Sequence, residues 1–71
     1  MALARKLQQL EADLDKLIQK HEETLALVKR RGEPKDDLLI DAIEETIGDL
    51  VDAHVHNTDA RSFERAYRKR G

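Results

Sequence analysis

Leu3, Leu7, Leu10, Leu14, Leu17, His21, Thr24 and Val28 follow one another at alternating steps of four and three residues. That spacing keeps them on one narrow stripe of an α-helix, the stripe that a partner helix covers in a coiled coil. A helix about 45 Å long cannot bury such a stripe by itself. The first 31 residues therefore call for a helical neighbour, and the last third of the stripe turns polar.

The neighbour is encoded a few residues on. Lys29, Arg30 and Arg31 place cations at the end of helix one, where the helix dipole is negative. Gly32 suits the left-handed residue that commonly ends a helix, and Pro34 fits the first turn of the next. Asp36 and Asp37 add negative charge where a helix N-terminus favours it. These signals predict helix one over 2–31, a tight turn at 32–34 and helix two over 34–56. Helix two has its own seam, Ile40, Ile43, Ile47, Leu50 and His54, widened by Leu39, Val51 and Val55. Folded back about Glu33, it would set Ile43 and Ile47 opposite Ile18 and His21, Leu50 near Leu14 and His54 near Leu10. Gly48 inside it costs up to ~1 kcal/mol of helix propensity, as the mark of a close helix crossing or as a tolerated surface glycine.

Asn57-Thr58-Asp59 favours caps and turns over helix interiors. Phe63 lies nine residues past His54, which puts it about half a turn round from the seam of a continuous helix. A bend and a third helix over 59–70 would resolve that mismatch; one long helix with an exposed Phe63/Tyr67 patch is the alternative.

Seventy-one residues form at most one domain, over 1–71, and Phe63 and Tyr67 are the only aromatic residues. A core this small usually needs a staple, and the absence of cysteine removes disulfides and thiolate zinc sites. Oligomerisation is the staple that remains. No apolar run reaches the ~20 residues of a membrane span, and Met1 to Lys6 has no apolar block after its charges. The expectation is a cytoplasmic protein without membrane attachment.

The net charge of −2 conceals an uneven distribution: +2 over residues 1–31, −8 over 33–59 and +4 over 60–71. The acidic middle repels nucleic acid and suits basic surfaces, including the chain's own ends.

Few residues suggest chemistry. His21 and His54 each interrupt an apolar seam, as satisfied core-edge residues or as a register or pH device loosened by acidification. His54 and His56 are two apart on a helix and point roughly 200° away from each other, so no metal site is expected there. Glu44, Glu45, Asp49 and Asp52, with Glu22 and Glu23, could in principle hold Mg²⁺. The string Glu44-Glu45-x-x-Gly48-Asp49 resembles a helix of the all-α nucleotide pyrophosphohydrolases over fewer than ten residues. The family's spaced glutamate pairs on the preceding helix are missing, so none of its sites is carried across. The positions of Glu45, Asp49 and Asp52 predict a solvated face. Ser62 has no histidine arranged with it, and there is no phosphate-binding glycine loop. Neither catalytic residues nor a cofactor are expected.

Arg61, Arg65, Arg68, Lys69 and Arg70 form a basic stripe beside Phe63 and Tyr67. Three uses are open: gripping phosphates, capping the bundle end near Leu3 and Leu7, or neutralising an acidic helix two. The reading reached is an all-α antiparallel hairpin with a short third helix, pairing as a homodimer into a helical bundle. Its expected role is a non-enzymatic interaction module, a scaffold, adaptor or chaperone-like hairpin. Leu3, Leu7, Leu10, Leu14, Leu17, His21, Ile43, Ile47, Leu50, His54, Phe63 and Tyr67 are its candidate partner-binding residues. Nucleic-acid binding by the basic stripe is the alternative, and a Mg²⁺-dependent nucleotide hydrolase a distant third.

Overall fold

The structure is a computed structural model that describes residues 2–70, with the side chains of Lys69 and Arg70 left out of that description. It is an antiparallel hairpin of two long helices, α1 (Ala2–Arg31) and α2 (Asp37–Arg70), packed along their length and 57 × 14 × 11 Å overall.

The connection forms where the sequence placed it. Gly32 adopts φ +68°, the left-handed conformation that side chains resist, and α1 ends there. Pro34–Asp36 then make a single 3₁₀ turn closed by Asp36 N–H donating to the Glu33 carbonyl at 3.0 Å. The α-helix proper begins at Asp37, three residues later than predicted, because this tighter turn redirects the chain first.

No bend follows His56. The expected third helix is absent, and α2 runs unbroken through Asn57-Thr58-Asp59 to Arg70. The residues read as breakers are absorbed locally. Thr58 donates its hydroxyl to the His54 carbonyl at 3.0 Å, and the Asn57 amide reaches across to the Leu7 carbonyl at 3.0 Å. Phe63 and Tyr67 stay out of phase with the seam and remain 62% and 70% exposed. The mismatch is resolved by exposure rather than by a bend.

The seam between the helices is half-buried throughout. On α1 it comprises Ala4, Leu7, Glu11, Leu14, Ile18, His21, Leu25 and Val28; on α2, Ile40, Ile43, Ile47, Leu50, His54, Asn57, Arg61 and Glu64, with Ala60 half-buried at its edge. The turn-proximal half is aliphatic apart from His21, and the distal half is polar on α2 and mostly apolar on α1. No hydrophobic residue is buried among the described residues, since two helices alone cover each other on one side only.

Candidate functional site

The α1 seam is not the stripe read from the sequence. Leu7, Leu14, His21 and Val28 belong to both, but the hairpin fills its second column with Ala4, Glu11, Ile18 and Leu25. The column Leu3, Leu10 and Leu17, each one residue earlier, is left 57%, 50% and 42% exposed. Thr24 continues it. One step back along a helix is a turn of about 100°, so this column flanks the seam.

α2 carries a matching column one step before its own seam: Leu39, Thr46, Ala53, Ala60 and Tyr67. In antiparallel helices a step in the same chain sense moves toward the same flank. Lys29 and Glu44, each one residue after a seam member, illustrate this by meeting at 3.7 Å on the opposite flank. The hydrogen bond from the Asn57 amide to the Leu7 carbonyl sets the register. It places Leu3 nearest Ala60, Leu10 nearest Ala53 and Leu17 nearest Thr46. Long side chains leaning toward their own helix N-termini join Asp15 to His54, Glu11 to Arg61 and Lys29 to Glu44.

The two columns form one apolar strip, roughly 30 Å from Leu3 to Thr24 at helical rise. Its threonine hydroxyls are internally satisfied: Thr24 donates to the Lys20 carbonyl at 2.8 Å and Thr46 to the Ala42 carbonyl at 2.9 Å. Nothing on the strip between Leu3 and Thr24 demands water. Phe63 and Leu27 lie further out on the same flank, 62% and 61% exposed.

The opposite flank is different in kind. Val51 and Val55 are 44% and 52% exposed there, and an open groove of about 510 Å³ has Leu25, Ala26, Ile47 and Gly48 as its floor. Glu22, Lys29 and Glu44 wall it with charge. A Cβ on Gly48 would meet nothing within 4 Å, so no close helix crossing within the hairpin requires this glycine.

The remaining candidate residues are engaged within the hairpin or face outward. His21 Nδ1 donates to the Leu17 carbonyl at 2.8 Å, in its own helix. His54 Nε2 is shielded from solvent with Asp15 Oδ1 at 3.0 Å, an approach without hydrogen-bond alignment. His56, Glu45, Asp49 and Asp52 are exposed. Among the described residues no three His, Asp or Glu side chains converge on a common point that could hold a metal ion. Of the basic stripe, Arg61 pairs with Glu11 across the seam and Arg68 with Glu64 at 3.0 Å. Arg65 is exposed, and Lys69 and Arg70 lie outside the described side chains.

One buried polar group escaped the sequence reading. Asp36, 4% exposed, accepts two hydrogen bonds from Arg31, Nε at 2.8 Å and a terminal nitrogen at 2.7 Å. The pairing holds the Arg31 guanidinium above its ordinary pKa, through the hydrogen bonding first and the charge of Asp36 second. A bidentate clamp of this kind locks the connection and belongs to the fold.

No helix among the described residues is long and apolar enough to cross a membrane. Comparison with protein-family models, curated proteins and solved structures finds no match to this chain.

Proposed function

We propose that this chain is a non-enzymatic protein-interaction module, a small scaffold or adaptor that docks through the strip of Leu3, Leu10 and Leu17 beside Ala53, Ala60 and Tyr67. A helical bundle built from two hairpins is the assembly proposed. The single observation that carries the reading is the exposed leucine column. Three leucines a heptad apart on a helix whose other apolar side is already used stand where a further helix would pack.

Surface area supports it. The chain exposes 5743 Å², against about 4,500 Å² expected of a compact monomer of 8.2 kDa. The excess of roughly 1,200 Å² exceeds the ~800 Å² that each partner contributes to a standard interface. Interaction is favoured over nucleic-acid binding because Glu11 and Glu64 already occupy Arg61 and Arg68.

The test is the solution mass of the wild type and of L10Q/L17Q over a range of concentrations. Glutamine matches leucine closely in helix propensity, so the double variant removes contact without penalising the helix. Association by the wild type that is lost in the variant supports the reading. Unchanged association in the variant would exclude this face.

A further inference from the structure

We propose that the open end of the hairpin holds a binding site for a single phosphoryl group, in a cleft between the start of α1 and the last turns of α2.

The cleft follows from how the two helices end. Arg61, Arg65 and Arg68 recur at steps of four and three residues, so they share one face of α2. Long side chains on a helix lean toward its N-terminus, which in the antiparallel α2 carries these back over the first turns of α1. With Glu64 beside them and Ala4 and Gln8 across from them, they line a cleft of about 160 Å³. That is room for a group of about five heavy atoms, the size of a tetrahedral phosphate.

The charge of the lining selects the ligand. Three guanidinium groups meet one carboxylate there, an excess that a dianion balances. The carboxylates leave most of the donors free. Glu64 takes only the Nε of Arg68, at 3.0 Å, and Glu11 takes one terminal nitrogen of Arg61. A guanidinium has five N–H donors, so both arginines keep the larger part of theirs. Arg65 forms no ion pair among the described residues. The Gln8 amide adds an uncharged donor. Guanidinium forks from three positions around one volume suit the several oxygens of a phosphate dianion better than the two of a carboxylate.

An isolated phosphoryl group fits the molecule better than a polyanion. A nucleic-acid strand following α2 would run past Asp59, Asp52 and Asp49, all exposed, in the segment of net charge −8. A single phosphate meets only the basic end. Gln8 and Arg65 each follow a seam residue by one, on the flank opposite Leu3, Leu10 and Leu17. The cleft is therefore a point of attachment separate from that strip, and it stays open when the strip is docked.

The test is a nuclear magnetic resonance titration of the full chain at constant ionic strength and about pH 7.5, where a phosphate monoester is largely a dianion. The probes are inorganic phosphate, phenyl phosphate and dimethyl phosphate, the last a monoanion like the links of nucleic acid. Saturable shifts centred on Gln8 and Ala4 are expected with the first two. Equal affinity for both supports a site for the free ion, and tighter binding of phenyl phosphate supports a phosphoryl group carried on a larger ligand. Dimethyl phosphate should bind about tenfold more weakly, and binding as tight as that of inorganic phosphate would overturn the assignment. Arg65 is exposed and glutamine is as good a helix former, so Arg65→Gln keeps the fold. It should weaken inorganic phosphate about tenfold, as the loss of one charge-assisted contact requires. Unchanged affinity in that variant, or shifts no larger than those from chloride, would overturn the proposal.

Discussion

Arg31, the last residue of α1, clasps Asp36 at the foot of α2 with two hydrogen bonds of 2.8 and 2.7 Å, and Asp36 is nearly solvent-free. The five intervening steps of chain therefore close a rigid corner. Asp36→Asn keeps the shape but discards the charge, and should lower the thermal midpoint clearly. Lys29→Met, which removes a half-exposed ion pair with Glu44 at 3.7 Å, should change stability by no more than about 0.5 kcal/mol. Thermal melts followed by circular dichroism check both. Equal effects would show that the clasp is only another surface pair.

The two interior glycines should respond in opposite directions to alanine. Gly32 sits at φ +68°, where a Cβ costs about 1–2 kcal/mol, so Gly32→Ala destabilises by that amount. Gly48 is helical with open space around its Cβ position, and Gly48→Ala should stabilise by up to ~1 kcal/mol. Urea denaturation resolves the difference. A loss at position 48 would reveal a neighbour that needs the groove empty.

Asn57 lies in the half-buried seam, opposite Leu7. Asn57→Leu should raise the urea midpoint, worth about 1 kcal/mol for a partly buried leucine. It should also weaken the preference for one register, because a polar seam residue penalises misaligned pairing.

Leu14 and Leu17 are three residues apart and should separate folding from association. Leu14 is a seam residue, and Leu14→Asp should abolish helical structure and association together. L10Q/L17Q should retain the hairpin at low temperature. The wild-type melting temperature should rise with protein concentration, as coupled association demands, whereas that of L10Q/L17Q should not. Melts across a wide dilution series test this.

The hairpin was legible because each of its signals is local and repeated. Gly32, Pro34 and the run of cations before them specify a turn whatever surrounds it, and period-seven spacing specifies two helices. What could not be read was how a wide apolar stripe is shared between neighbours. Leu17 and Ile18 are adjacent, similar and equally apolar, yet Ile18 faces α2 and Leu17 does not. Only the rotation of α1 about its axis separates them, and that is set by the packing of both helices together. The uninterrupted α2 stood only as the alternative to a bend for a related reason. Asn57 and Thr58 favour breaks when isolated, but a carbonyl on α1 and one on their own helix accept their side-chain donors. The Arg31–Asp36 clasp left no signature, because a single acid five residues after a single arginine is commonplace in a chain this charged.

The division of the seam into an aliphatic half near the turn and a half away from it that is polar on α2 has a mechanical consequence. The start of α1 and the end of α2 lie at the polar end, so tension applied through them would peel the helices apart from there. His54, Asn57 and Arg61 would part first, with water ready to replace what each loses. The isoleucines at 40, 43 and 47 would hold until last, having no such substitute. Under load this molecule would behave as a zipper whose teeth are soft at the pull and firm at the stop.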